Sequence, residues 1–465
     1  MTTSVAPGPP ATPPAAPLTA PPPAPSPVPA PGVSPPPNPS LRRRLAGLTT
    51  TTPGRLRVES VLLVALALVA GLFTGWVVSG RLGATNRIAE ENVPVIVSAR
   101  QVQTGLAEAN AAAATAFLAG GVENADQRQL YEDSIAAVGQ ELENAARLTG
   151  DDQEAHDALQ TLTSGLPVYS GLIEQARANN RQGFPVSAAY LNAASRLLDE
   201  QLFPATDVVA NQAAERYRSA YDDQRGVSLV LAVVAVGLNL LVILFLVRLL
   251  LQLQRRFKRT LNLPLLVALA VAVALTGWLV WGLTRQSSHL ATARTDGYQG
   301  TRLYLDARGA AFGAKADEAR YLLARGAGQA FEDDFLTRAG QFDALSARID
   351  DHVAATGGAT ARSDADATTT AWDRYVQSHA GLIELDAQGE RSAAVTAALS
   401  EATPAFAAFD KASVTALDHQ QAEFAADMDR AAGALGGLRV GPLLGEVVLA
   451  AAAAYGLQQR INEYR

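Results

Sequence analysis

Four long apolar runs divide the sequence and restrict the folds that are available to it. They cover residues 58–80, 227–251, 264–284 and 440–457, and the first three contain 21 to 25 residues each. A helix rises ~1.5 Å per residue, so a run of this length crosses the ~30 Å hydrocarbon core of a bilayer. The chain is therefore expected to cross a membrane several times.

A repeated motif divides the chain into two similar halves. The Leu-Val-Ala-Leu-Ala of residues 63–67 and the Thr-Gly-Trp of 74–76 return at 266–270 and 276–278. In each half the motif is followed by a long acidic, alanine-rich segment and then by another apolar run. The fourth run is short and carries Glu446, but we predict a span there because the repeat requires one.

The segments between the runs have the composition of helical bundles. They are rich in Ala, Leu, Glu, Gln and Arg, with Gly and Pro at the breaks. The Gly-Leu-Ile-Glu of residues 171–174 reappears at 381–384, in the third helix of each segment. The predicted helices cover about 82–119, 123–148, 152–181, 185–226, 286–325, 330–355, 363–388 and 391–436. We predict an all-α membrane protein with four transmembrane helices and two extracytoplasmic four-helix bundles from an internal duplication.

The distribution of charge predicts the orientation. Five basic residues and no acid precede the first run, and five more, again without an acid, lie from Arg248 through the link 252–263. Short segments rich in Arg and Lys stay in the cytoplasm. The segment 81–226 has 11 basic and 20 acidic residues, and 285–438 has 14 and 22. We predict a multi-pass plasma-membrane protein with both termini in the cytoplasm. Residues 458–465 are predicted to form a short cytoplasmic tail.

Two further features of composition limit the function. Residues 1–40 hold 17 of the 25 prolines, so 1–54 is predicted to be a disordered cytoplasmic tail. The tail is interpreted as a spacer, with docking of a proline-binding module as the open alternative. The chain has no cysteine, which excludes disulfides and thiolate chemistry. The acidic exterior argues against nucleic acid as a partner, whereas membrane lipid surrounds the spans.

No catalytic pattern is found in the sequence. It lacks a phosphate-binding glycine loop, a kinase motif set, a GxSxG elbow and an HExxH helix. The five histidines are not spaced as a metal cluster and are interpreted as surface or bundle-face residues. We expect no enzyme activity, no cofactor and no bound metal, so any output would pass through another protein.

The most distinctive external stretch surrounds a predicted turn at Gly183. Arg177 and Arg181 are four residues apart on a helix and are candidates to clamp a carboxylate or an acidic protein surface. The whole candidate docking or ligand site comprises Tyr169, Glu174, Arg177, Asn179, Asn180, Arg181, Gln182 and Tyr190. The alternative is a solvated helix end with a glycine cap and a proline start to the next helix.

Polar groups also occur in the spans and in the link between them. Asn239 and Glu446 are intramembrane candidates, because ionisable groups at that depth are costly and often functional. Glu446 is interpreted as pairing with a basic group or bonding to Asn239, or else as displaced toward the outer interface beside Arg439 and Pro442. The candidate cytoplasmic docking site consists of Arg255, Arg256, Lys258 and Arg259. A topology signal that touches anionic lipid is the alternative for these four residues.

Several features of the chain occur together in one known family. They are four spans, two external helical segments, the stretch Glu-Gln-Ala-Arg-Ala-Asn-Asn-Arg-Gln-Gly at 174–183, and the ending Glu-Tyr-Arg. On these features the chain, from about residue 42 onward, resembles the GlnX family of actinobacterial membrane proteins. The family is encoded beside a glutamine- or glutamate-binding lipoprotein and a Ser/Thr kinase of the kinase G type. The resemblance implies a relay from that solute-binding lipoprotein outside to the Ser/Thr kinase inside. The external segments also resemble chemoreceptor sensor domains in architecture.

Other functions stay open at the level of the sequence. A structural or scaffolding protein of the cell envelope would also have long external helices and no catalytic motif. A four-helix bundle that binds a small ligand directly would need no lipoprotein. A transporter is disfavoured because four spans without a pair of broken helices offer little substrate path. The sequence leaves a homodimer as an alternative to a working monomer.

Overall fold

The computed structural model describes residues 52–120, 124–257, 262–356 and 358–462. Within these ranges the regular elements are all helices, which confirms the predicted all-α class. The first half contains α1 (Thr52–Arg87), α2 (Val93–Leu118), α3 (Ala125–Leu148), α4 (Gln153–Arg181), α5 (Val186–Leu197) and α6 (Phe203–Phe257). The second half contains α7 (Leu263–Thr292), α8 (Gln299–Leu323), α9 (Gln329–Thr356), α10 (Ala359–Ala387), α11 (Arg391–Ala397), α12 (Thr403–Gly436) and α13 (Gly441–Asn462).

Four helical stretches are long and apolar enough to cross a membrane, as predicted. By length and composition they are Gly54–Leu118, Gly226–Arg255, Leu263–Leu323 and Arg391–Gln459. Large apolar side chains are exposed along them, among them Leu72, Val233 and Leu244. An exposed apolar surface of this kind is stable when lipid rather than water covers it. The chain is a multi-pass membrane protein, and the orientation of its termini remains a prediction.

The helices of the bundles end where glycine allows the chain to reverse. Gly183 follows α4 with φ of +72°, and Gly389 follows α10 with φ of +83°. An L side chain is strained in this left-handed region, so glycine is the residue that suits a helix end of this kind. Asp152, one of the two acids expected to begin the third helix, caps α4 by accepting a hydrogen bond from the Ala155 amide at 3.0 Å.

Four π-helical turns interrupt helices that the sequence predicted to be continuous. Two of them, Ile88–Asn92 and Ala293–Tyr298, join a span to the first helix of a bundle. The other two, Leu198–Leu202 and Ala398–Ala402, come directly before the last long helix of a bundle, and each is followed two residues later by a proline, Pro204 or Pro404. A π turn inserts an extra residue that helical periodicity does not reveal. The placement is the same in both halves, and the internal duplication stays a prediction from the sequence.

The two bundles pack against each other through α2 and α8. Ala107 and Ala111 of α2 belong to the same apolar cluster as Ala311 and Ala314 of α8. The Thr104 hydroxyl donates to the Leu305 carbonyl at 3.3 Å. Small side chains allow two helix backbones to approach closely, so the first helix of each bundle forms the centre of the external domain.

Glycines also bring the spans together. Gly441 and Gly445 face the Trp278 and Leu275 side chains of α7, where a Cβ would come within 2.5 and 2.6 Å of them. A Cβ at Gly71 of α1 would lie 3.1 Å from the Glu446 Cγ of α13. Close helix packing through small residues is the usual interface inside a bilayer. The fourth span, uncertain in the sequence, is therefore packed against both the first and the third.

Candidate functional site

The predicted docking turn lies at the end of the first bundle that is farthest from the spans. Helices α2 and α4 both run away from the spans, so the turn after α4 is membrane-distal. Arg181 and Gln182 are exposed there, and the neighbouring Phe184 is 50% exposed. Phe184 was not among the predicted site residues, although an apolar ring between Gly183 and Pro185 is unusual for a turn that only faces solvent.

The structure does not bring Arg177 and Arg181 to one surface. The Arg177 side chain is 1% exposed, forms an ion pair with Glu174, and lies over the Tyr131 ring with its Cζ atom 5.1 Å from the centroid. The predicted clamp of two arginines is therefore not available at the surface, because one guanidinium is inside the bundle. Helical spacing placed both residues on one face but did not indicate that α3 covers part of it.

The other residues of the predicted site divide between surface and core. The Asn179 and Gln182 amides donate to the carbonyls of Gln175 and Ala178 at 2.8 and 3.2 Å, so they stabilise the end of α4. Asn180 is half-buried at the same helix end. Tyr169 is fully buried, and Tyr190 packs partly buried against the same apolar cluster. The surface that the turn offers consists mainly of Glu174, Arg181, Gln182 and Phe184.

Ionic contacts across the bundle interface form a second candidate site, which the sequence did not predict. Arg338 of α9 contacts the buried Asp317 at 2.9 Å and Asp199, in a π turn of the first bundle, at 3.2 Å. Arg320 donates to the Asn192 side chain of the first bundle at 3.2 Å. Burial raises the pKa of Asp317 to about 6 against the opposing effect of Arg338 and Arg320. These contacts tie the two bundles together at a π turn.

A cavity at this interface has a volume of about 10 Å³. It is lined by Asn110, Asp199, Asp317, Arg320 and Arg338, together with small and apolar residues. Its polar groups suit a zwitterion, but a volume of roughly 10–15 Å³ holds only one water molecule. In this conformation the cavity has no room for an amino acid.

An acid and a cation from different bundles meet near the centre of the same interface. Glu108 of α2 is half-buried close to Asp410 of α12 and Arg308 of α8. The pKa of Glu108 is raised to about 7, chiefly by burial and also by the charge of Asp410, while Arg308 opposes the rise. Arg308 itself contacts the Asp410 carboxylate at 2.6 Å. Protonation of Glu108 therefore changes the charge between the bundles near neutral pH.

A buried histidine bridges three helices of the second bundle. The His379 Nδ1 lies 3.1 Å from a Glu318 oxygen, and Nε2 lies 3.1 Å from a Glu332 oxygen. Phe335 stacks on the imidazole with 3.5 Å between ring centroids, and Lys315 contacts Glu318 at 2.6 Å. The sequence prediction had His379 as a surface or bundle-face residue, without these partners. Glu318 and Glu332 lie on other helices, 61 and 47 positions away in the sequence, so the spacing of residues along one helix does not reveal them as partners of His379.

The first bundle has a different residue at the corresponding position. Tyr169 precedes Gly171 by two residues, as His379 precedes Gly381. Burial raises the pKa of Tyr169 well above its ordinary value, whereas the acids beside His379 raise the pKa of an imidazole at the corresponding position. The two bundles are alike in backbone plan and unlike in the chemistry of their cores.

The intramembrane polar residues lie in different contacts. Asn239 donates to the Thr74 hydroxyl of α1 at 3.2 Å and to the Ala235 carbonyl at 2.9 Å, so it links the first two spans. Glu446 is 1% exposed, and neither of its carboxylate oxygens has a hydrogen-bond partner in the described part of the chain. The predicted alternative of a Glu446–Asn239 bond is therefore not observed.

The basic link is only partly covered by the described ranges. Arg255 is exposed at the end of α6. Arg256 belongs to the same helix, and Lys258 and Arg259 lie outside the described residues. Cytoplasmic docking at these four residues stays a prediction.

Comparison with known proteins adds one match. A family model described as an actinobacterial sensor domain matches residues 84–222, which include the first bundle. No curated protein and no solved structure matches the chain. The matched region begins at the end of α1 and contains both the membrane-distal turn and the α2 surface that packs on the second bundle. The match fits an actinobacterial sensor protein and indicates a sensing or signalling role.

Proposed function

We propose that the chain is a non-enzymatic transmembrane signal relay. In this proposal a solute-binding lipoprotein that carries an amino acid contacts the bundles outside the cell, and a cytoplasmic Ser/Thr kinase receives the signal. The sensor-domain match of residues 84–222 supports the sensing role. The resemblance to the GlnX family suggests the two partners.

The observation that carries the proposal is the path from the bundle interface into the spans. The central helices α2 and α8 pack on each other, and each is joined to its span by a π turn. A small sliding or rotation of α2 against α8 would therefore change the relative position and rotation of the first and third spans. Shifts of 1–2 Å between packed helices are a known means of signalling.

The external surface is better suited to a protein than to a free amino acid. The interface cavity of about 10 Å³ is too small for an amino acid in this conformation. The membrane-distal turn offers a charged side chain, Arg181, beside the exposed apolar Phe184. An aromatic residue next to an arginine is a frequent composition at protein interfaces. This turn is the proposed contact for the lipoprotein.

Affinity purification from crosslinked membranes tests the relay as a whole. The tagged full-length chain is crosslinked in its own cells, and its partners are identified by mass spectrometry. Recovery of a solute-binding lipoprotein together with a Ser/Thr kinase is the expected result. Recovery of envelope-assembly proteins alone would overturn the relay and favour a scaffold.

Paired variants test the turn separately. F184A and R181E are expected to reduce crosslinking to the lipoprotein about ten-fold, because interface anchors are each worth ~1–2 kcal/mol or more. The matched control is R362E, which changes an exposed arginine at the membrane-proximal end of the other bundle. Equal recovery of the lipoprotein by F184A, R181E and R362E at normal expression would remove the turn from the proposal.

A further inference from the structure

An open groove of about 780 Å³ lies between the second and third spans. Its walls are apolar side chains of α6 and α7, including Leu229, Val233 and Leu240 on one side and Val280 and Leu283 on the other. Leu229 and Val233 are 60% and 63% exposed, so no other part of the described protein covers this wall. In a bilayer such a surface is in contact with hydrocarbon.

The end of the groove nearest the bundles is polar and positively charged. The Arg81 guanidinium donates to the Gln286 side chain at 2.9 Å and to the Ser228 carbonyl at 3.3 Å. Gln286 is itself fully buried and donates to Thr85 at 3.0 Å. These contacts hold Arg81 between α1, α6 and α7. Arg81 is the one charged side chain among the described residues that line the groove.

A tryptophan and an arginine mark the depth of this polar end. Trp281 is 52% exposed on α7, and the Arg285 guanidinium lies over its indole ring at 5.0 Å. Indoles favour the interface between hydrocarbon and headgroups, and arginine extends toward the headgroups. Gln286 follows Arg285 directly, so the polar end is at headgroup depth. The apolar walls at Val233 and Leu240 lie one to three helical turns deeper.

We propose that this groove is a binding site for one anionic phospholipid. An acyl chain lies along Val233, Gly237 and Leu240, and the phosphate is held near Arg81. The groove is apolar along its length and charged at one end, as a phospholipid is. The positive charge of Arg81 favours an anionic headgroup over a zwitterionic one. The bound lipid lies between the parts of the second and third spans that are nearest the bundles, while the two spans contact each other at their other ends.

Native mass spectrometry of the purified full-length protein tests the site. The delipidated protein is exposed to phosphatidylglycerol or to phosphatidylcholine, and retained lipid is counted. The wild-type chain is expected to retain one phosphatidylglycerol about five-fold more strongly than phosphatidylcholine, the effect of about 1 kcal/mol from one arginine near the surface. R81Q is expected to remove this preference.

A groove-filling variant and a matched control separate binding from folding. A Cβ at Gly237 meets no atom within 4 Å, so G237L fills the groove without displacing backbone. Gly277 of α7 is equally open but does not line the groove, so G277L is the control. G237L should lose the retained lipid at an unchanged melting temperature, and G277L should keep it. Equal retention of both lipids by the wild type, or full retention by G237L, would overturn the proposal.

Discussion

At the scale of single residues, His379 occupies a site that suits a charged imidazole. Both ring nitrogens face carboxylate oxygens, and a neutral imidazole can donate from only one of them. Burial alone would lower the pKa of His379, but the hydrogen bonds and charges of Glu318 and Glu332 outweigh it and raise the pKa above its ordinary value. The charged ring then joins α8, α9 and α10.

The first prediction concerns the pH dependence of this cluster. Because the folded pKa is raised, the stabilisation from His379 is fully present below the unfolded pKa of about 6.5 and is lost as the pH rises through the folded pKa. H379Q should lower the melting temperature at pH 5.5 by an amount that corresponds to roughly 2–3 kcal/mol, and by less at pH 9. Thermal unfolding of the purified protein across this range measures it.

The exposed His156 supplies the control for the histidine experiment. H156Q should leave the pH profile of the wild type unchanged, because His156 is exposed and contacts a backbone carbonyl rather than a pair of buried acids. An H379Q profile parallel to that of the wild type at every pH would contradict the prediction.

The sequence did not predict which side chains contact each other across different helices. The spacing of Arg177 and Arg181 correctly placed both on α4, but α3 determines that Arg177 points inward over Tyr131. The pairing of His379 with Glu332 joins residues 47 positions apart on different helices. Local patterns specify which residues share a helix, whereas burial depends on which helix packs against it.

At the scale of elements, the π turns set the rotation of each span relative to its bundle. One residue in a helix corresponds to ~100° of rotation. Glycine and proline predicted the breaks between bundle helices, because they change the backbone directly. The π turns have no consistent marker of this kind, since Ile88–Asn92 contains neither residue and Ala293–Tyr298 contains Gly297 within a run of helix that does not end there. The sequence therefore predicted the helices but not their relative rotation.

The second prediction tests the π turn at Ile88–Asn92. Thr74 and Asn239 are in contact at 3.2 Å, so T74C with N239C should form a disulfide on oxidation in this otherwise cysteine-free chain. Deleting the exposed Glu90 in the same background should reduce the disulfide yield several-fold, because α1 turns by ~100° relative to α2. The yield is read as a mobility shift on a gel.

A substitution without a change of length is the comparison for this deletion. E90A keeps the five residues of the turn and should keep the disulfide yield. A high yield after the deletion, at normal expression, would show that the π turn does not fix the rotation of the first span.

The third prediction concerns the contact between the first and fourth spans. G71L adds a side chain whose Cβ lies 3.3 Å from the Leu443 backbone Cα and 3.1 Å from the Glu446 side chain. Overpacking of this kind costs about 1–3 kcal/mol, so the melting temperature should fall by several degrees. G80L on the same span is the matched control, since a Cβ there meets nothing within 4 Å. A similar melting temperature for both variants would contradict the packing.

At the scale of the whole molecule, the two bundles share one interface. Thr104 and Leu305 meet although 201 positions separate them, and Ala107 of the first bundle lies in the core of the second. Apolar periodicity predicted the spans and the bundle helices because each depends on neighbours within a few turns. Apolar periodicity does not indicate how one bundle packs on the other, so the salt bridges of Arg338 with Asp199 and Asp317 were not predicted.

The fourth prediction concerns the charge inside this interface. Burial raises the pKa of Glu108 to about 7, so its contribution to stability is present below its unfolded pKa and is lost as the pH rises through 7. E108Q should therefore raise the melting temperature at pH 8.5, by on the order of 2 kcal/mol of stability, and change it little at pH 4. Thermal unfolding at the two pH values measures the difference.

The control for Glu108 is an exposed acid on the same bundle. E132Q removes a carboxylate that pairs with Arg128 at the surface, where such pairs contribute little. It should not change the melting temperature at pH 8.5. A fall in the melting temperature of E108Q at pH 8.5 would show that the charged form of Glu108 stabilises the interface.

The presence of both bundles on one chain fixes their stoichiometry. A receptor assembled from identical subunits offers each binding surface twice, so its titration curve reflects interaction between equivalent sites. Here the turn beside Phe184 and the histidine beside Phe335 each occur once per polypeptide. One half is therefore free to specialise in recognition while the other sets the pH dependence of stability. If the proposed relay is correct, a single polypeptide should give a simple hyperbolic saturation curve with its lipoprotein.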